Sequence, residues 1–152
     1  MSTKMTIATP SPETLVAAVV AAFQRFSRLA EEIHGDDGFN AGDRSILLAL
    51  SEPGNFTVAS LARKKDVSRQ FMHRAVGQLR EAGLVTLSEN PRHARSPHLA
   101  LSEQGRLAVS NIRARELPLW NHLAIKIGAS DVNGATQLLR LLASVQLPEQ
   151  ER

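Results

Sequence analysis

The sequence predicts a mostly α-helical protein with one small β-hairpin, and three observations lead there. Apolar residues recur at three- and four-residue steps along most of the chain. Between Thr57 and Gly105, two short helix-like stretches meet at a tight turn, and two strand-like runs follow around a basic loop. Longer helical stretches lie on both sides of that segment. Two short helices and a hairpin in this order spell a winged helix-turn-helix. Its N- and C-terminal helices would then serve dimerisation.

Residues 1–9 show no periodicity and read as a loose N-terminal arm. Ser11-Pro12-Glu13 is a helix start, with a capping hydroxyl, a proline at the first helical position and an acid in the first turn. Leu15/Val16, Val19/Val20, Phe23, Phe26, Ala30 and Ile33 extend one long helix to about Ile33, which the run His34 to Gly38 ends. Asn40 or Gly42 opens a shorter helix around Ile46–Leu50, closed by the run Ser51 to Asn55. Val58 to about Lys64 is the first helix of the helix-turn-helix. Asp66-Val67 leads into the second, which starts at Ser68 and stops at Gly83. Leu84–Leu87 and Leu99–Leu101 are the strands of the wing. The run Ser102 to Gly105 begins another helix, which Pro118 should kink or interrupt, with the continuation closed by Gly128. Ser130 should cap a last helix that carries Leu138, Leu141, Leu142 and Val145 and ends near Pro148. The expected organisation is an arm (1–9), a helical dimerisation region (10–38 and 102–148) and a winged helix-turn-helix DNA-binding domain (40–101).

The bulk numbers fit this picture. The 152 residues are 43% apolar and 22% charged, ordinary globular values that argue against disorder. No window is apolar enough to span a bilayer, and the start lacks a signal peptide's apolar core, so a soluble cytoplasmic protein is expected. The absence of cysteine excludes disulfides, thiol-based redox sensing and thiolate metal sites. Charge is unevenly placed: from Arg63 to Arg95 there are eight Lys/Arg and three Asp/Glu, against ten and twelve in the rest of the chain. The positive excess sits where phosphates would lie, which makes double-stranded DNA the expected partner.

On a helix starting at Ser68, Met72, Ala75, Val76 and Leu79 share one face and must be core. Gln70, Arg74, Gly77 and Glu81 then form the opposite stripe. Ser68 is the expected N-cap, at a helix end whose partial charge suits a phosphate. Arg and Gln pair bidentately with guanine and adenine edges, so Gln70 and Arg74 are the candidate base readers. His73 can donate to a base or a phosphate; Phe71 either packs against the preceding helix or touches a thymine methyl. Arg69, Arg63, Lys64 and Lys65 are candidate phosphate contacts, which supply affinity rather than specificity. In the wing, Arg92 and Arg95 project from a narrow ribbon suited to a minor groove; Arg95 is the candidate for the groove, and the DNA backbone is the alternative place for Arg92. The terminal helices carry apolar stripes that must be covered, and a second copy of the chain covers them most simply; folding back into a monomeric bundle is the alternative. A homodimer would read a palindromic operator.

The chain resembles the MarR family of winged-helix transcriptional regulators. The matching residues are Leu50-Ser51-Glu52-Pro53-Gly54, Thr57-Val58, Leu61-Ala62, Val67-Ser68-Arg69-Gln70, Leu79, Gly83-Leu84-Val85, Asn90-Pro91, Arg95-Ser96 and Leu101-Ser102-Glu103-Gln104-Gly105. The likeness spans residues 42–105. It implies an intertwined dimer, recognition helices in successive major grooves and wings in the flanking minor grooves. It also implies a repressor that releases DNA on binding a small aromatic effector between its dimerisation and DNA-binding parts. Phe23, Phe26 and Trp120 are the candidate residues of such a pocket; core packing is the alternative reading of all three. The chain departs from the family where His93-Ala94-Arg95 replaces an Asp-Arg-Arg run, where Lys65 stands in an apolar slot, and where Asp66 stands in place of glycine.

The five histidines have no metal-ligand spacing, and the chain lacks a phosphate-cradling glycine loop and a nucleophile elbow. No catalytic residue, metal or cofactor is expected, and the protein is read as a regulator rather than an enzyme. The alternatives are a winged helix used as a protein-interaction module and a ligand sensor without a specific DNA site.

Overall fold

A computed structural model describes residues 11–146, apart from Arg92 and Ala94. The expected N-terminal arm (1–9) and the Pro148 end of the chain lie outside the described residues. The element order is α1 (Pro12–His34), α2 (Ala41–Leu50), α3 (Val58–Lys64), α4 (Arg69–Glu81), β1 (Val85–Ser88), β2 (His98–Leu101), α5 (Glu103–Lys126) and α6 (Ala129–Ala143). Residues up to Arg115 form one compact unit, and those from Glu116 onward form another.

The helix starts follow from side-chain capping. Ser11, Asn40, Thr57 and Ser68 each accept a hydrogen bond from a backbone N–H three residues on. Asn40 and Thr57 complete capping boxes with Asp43 and Ser60. The structure differs from two expectations at the C-terminal side, the interruption at Pro118 and the cap at Ser130. α5 runs without interruption through Pro118. A proline removes one backbone donor and crowds the turn before it, and the helix-forming residues on both sides absorb that cost. α6 begins after Gly128 with no side-chain cap, so Ser130 lies inside the helix rather than at its cap.

The core of the first unit joins α2, α3, α4, the hairpin and the opening turns of α5. Leu47, Leu61, Met72 and Ile112 are its largest fully buried side chains, with Ile46, Val76, Leu79, Leu84, Val85, Leu99 and Val109 around them. The strands pair antiparallel from Val85↔Leu101 to Ser88↔His98. Phe56 adds a bridge to Leu99, whose N–H donates to the Phe56 carbonyl at 2.7 Å. Gly105 is fixed by close approach: a Cβ there would stand 2.1 Å from the Leu84 carbonyl oxygen. Ser102 bonds the same junction, its hydroxyl donating to the Gly83 carbonyl at 2.6 Å and accepting from Gly105 N–H at 2.9 Å. The Leu101–Gly105 run therefore docks α5 on the hairpin.

A buried polar cluster ties α1 to α2. His34 Nδ1 lies 2.9 Å from Asp37 Oδ2, and Arg44 donates to the Phe39 carbonyl at 2.5 Å while lying 3.6 Å from Asp37 Oδ1. His34 is the one buried residue of α1. In the second unit, no described residue is buried.

Candidate nucleic-acid interface

The helix-turn-helix is built from two similar helix ends. At the end of α4, Gly83 N–H donates to the Arg80 carbonyl and Leu84 N–H to the Leu79 carbonyl, with Gly83 at φ 73°. At the end of α3, Asp66 N–H donates to the Arg63 carbonyl and Val67 N–H to the Ala62 carbonyl, with Asp66 at φ 52°. Both are Schellman closures around a left-handed residue, where glycine is the least strained choice and aspartate a tolerated one. The α3 closure brings the chain round into Ser68. The Ser68 hydroxyl accepts from Phe71 N–H at 3.1 Å, leaving the first-turn amides of Arg69 and Gln70 without an intrahelical acceptor.

α4 buries Met72, Val76 and Leu79, with Ala75 half-buried beside them. Gln70 and Arg74, one turn apart, are both exposed, as are Ser68, Arg69 and His73. Phe71 and Arg74 line a groove of about 330 Å³ with Asn40, Gly42 and Asp43 at the start of α2. Half-exposed Phe71 thus faces the first turn of α2.

Arg95 is exposed on the wing, and Arg92 lies outside the described residues. The candidate phosphate lysines are engaged within the protein. Lys64 pairs with Glu52 and stands 5.0 Å from the centroid of the Phe56 ring, a cation–π contact. The Lys64 hydrogen bond and charge hold the exposed Glu52 carboxyl below the usual carboxylate range. Lys65 donates to Ser45 Oγ at 2.7 Å, and partial burial pulls its ammonium below the ordinary lysine value.

Phe23 and Phe26 line one open groove of about 640 Å³ with Arg28, Glu31, Glu32 and Ala41. Trp120 belongs to the other unit, where its Nε1 donates to Glu116 Oε2 at 3.2 Å. None of the three is core within this chain: Phe23 is 72% exposed, Phe26 45% and Trp120 49%. Sequence reasoning missed Glu52 as the partner of Lys64, and the only signal for it was an acid in the turn before α3. It also passed over Asn90, a buried polar residue of the wing that the Asn90-Pro91 pair could have flagged.

Comparison with known proteins agrees with this arrangement. A MarR family model matches residues 38–96. An uncharacterized protein of Mycobacterium tuberculosis is 30% identical over 126 residues, covering 83% of this chain and 87% of the relative. A mutant MarR from E. coli, complexed with operator DNA, has a similar fold with TM-score 0.71 at 19% identity, covering 85% of this chain and 93% of that one. Staphylococcus aureus MarR, in complex with salicylate and kanamycin, gives 0.74 at 14% identity, covering 91% and 93%. The family match falls on the helix-turn-helix and wing built above, and the fold agrees well beyond it: the chain belongs to the MarR family and holds its winged-helix fold.

Proposed function

We propose that this protein is a homodimeric, sequence-specific DNA-binding regulator of transcription, a cytoplasmic repressor rather than an enzyme. The observation that carries the reading is the outer face of α4. Gln70 and Arg74 stand exposed one turn apart, on a helix whose opposite face is anchored in the core. Those two side chains read base edges, and Arg69, Lys64 and Lys65 meet phosphates. Arg95 enters a minor groove, and Arg92 joins it there or meets the backbone. The operator complex of the E. coli protein supports this use of the fold.

Dimerisation is supported by the apolar residues that this chain leaves uncovered. Val16, Val20 and Phe23 on α1, Leu117 and Ile125 on α5, and Leu139, Leu141 and Val145 at the C-terminal end are all exposed. Helices without a buried face gain little from propensity alone and need a partner surface. In this reading residues 10–38 and 102–148 form the dimerisation region and 40–101 the DNA-binding domain. A small aromatic effector is proposed for the Phe23/Phe26 groove; the salicylate bound to S. aureus MarR supports that ligand class.

Selection of bound fragments from a random duplex pool tests the reading. Inverted repeats should be enriched, with half-site centres roughly 34–36 Å apart or a multiple of that spacing. Enrichment of no duplex would leave the winged helix as a protein-interaction module or an effector sensor, and would overturn the proposal.

A further inference from the structure

Where the wing leaves its ladder, one buried carboxamide holds the loop closed. β1 and β2 pair as far as Ser88↔His98. The next position in that register sets Glu89 opposite Pro97, which has no N–H to give. One step further, Asn90 stands opposite Ser96. Asn90 is only 8% exposed, and its Nδ2 donates to the Ser96 carbonyl at 2.6 Å. The Asn90 carbonyl accepts from His93 N–H at 3.0 Å, and Ser96 N–H donates to the His93 carbonyl at 2.8 Å. A side-chain amide thus takes over where a proline stops the ladder, and it ties together both ends of the loop that carries Arg95.

The chemistry of the position is narrow. Aspartate has the same shape but, when ionised, cannot donate and would set its charge against the Ser96 carbonyl. Alanine would leave that carbonyl without the bond. Arg95 directly precedes Ser96, so fixing the Ser96 carbonyl fixes the backbone from which the arginine projects. A loop without this tie would have to be ordered on binding, which costs conformational entropy. Resting on the reading that the wing meets DNA, we infer that Asn90 is the positioning residue of the wing, presenting Arg95 to the minor groove in one orientation.

A double-mutant cycle tests this, with Asn90→Asp, Asn90→Ala, Arg95→Ala and the two doubles measured on a wild-type-selected duplex with A·T-rich flanks and on its G·C-flanked counterpart. Arg95→Ala should weaken binding about tenfold, the size of one charge-assisted contact. Either Asn90 variant should weaken it to a similar extent and lose the preference for A·T-rich flanks. Each double should bind no more weakly than Arg95→Ala alone, because Asn90 acts through that arginine. The unbound variants should keep the wild-type melting temperature within a few degrees and exchange the Ser96 and His93 amide protons faster, leaving Leu99 protected. Losses that multiply in the doubles, or Asn90 variants that bind and discriminate flanks as wild type does, would overturn the inference alone. Should Asn90→Asp fail to fold, Asn90→Ala carries the same comparison. A wild-type protein that binds no duplex would instead overturn the DNA reading, and the assignment of Arg95 with it.

Discussion

Lys64 is shared, in the free protein, between a carboxylate and an aromatic ring. Its pairing with Glu52 holds that acid's pKa down, so the stabilisation from the pair is full above the ordinary carboxylate range. It fades as pH falls through the lowered value. Both groups are substantially exposed, and the pair contributes little to folding. In the proposed DNA complex its effect would be larger, because a phosphate at Lys64 would have to compete with Glu52 for the lysine. Glu52→Gln should therefore tighten binding to every duplex alike at neutral pH, steepen the salt dependence by about one counterion, and leave base preference unchanged. Unchanged affinity, measured by titration at two salt concentrations, would show that Lys64 meets no phosphate. The amino-acid order concealed this pair, because the two residues lie twelve positions apart and meet only once α2 and α3 have packed. The His34–Asp37–Arg44 cluster was hidden for the same reason: each residue reads as a surface charge until the α1–α2 turn closes over it.

Single elements were far more legible than contacts between them. Ser11, Thr57 and Ser68 announce their helices, and Asn40 was one of two candidates for its own, because a cap acts within three residues of itself. The face of α4 was legible because its buried positions repeat with the helical period. The interruption expected at Pro118 does not occur, because a local rule for helix breaking is outweighed by the helix on both sides of it. Ser130 was misread because a serine near a helix start is a cap only when its backbone is still extended, and there Gly128 holds that place. Asp66 shows what the departure from glycine means physically. The turn keeps its left-handed residue, φ 52°, and bears the strain of a Cβ. Asp66→Gly should raise stability by about 1 kcal/mol in denaturant titration, since the Schellman closure it sits in is otherwise complete. A lower midpoint for that variant would show that the aspartate side chain contributes more than its backbone costs.

Beside a well-packed winged core, this chain carries helices whose apolar sides are open. The sequence showed that these stripes exist, and one copy of the chain leaves them bare: Ile125 is 87% exposed. Sedimentation equilibrium should return twice the 16.6 kDa of the chain at micromolar concentration. A helical protein that sediments at the single-chain mass would contradict the assembly proposed for it. In the proposed assembly α4 is the element held out to DNA, and base preference is its sharpest test. On a selected duplex and its single-base variants, Arg74→Ala should relax discrimination at one position per half-site by about 1–3 kcal/mol, whereas Lys64→Ala should weaken all variants equally. If Arg74→Ala discriminated every position as wild type does, the outer face of α4 would not be the surface that reads DNA.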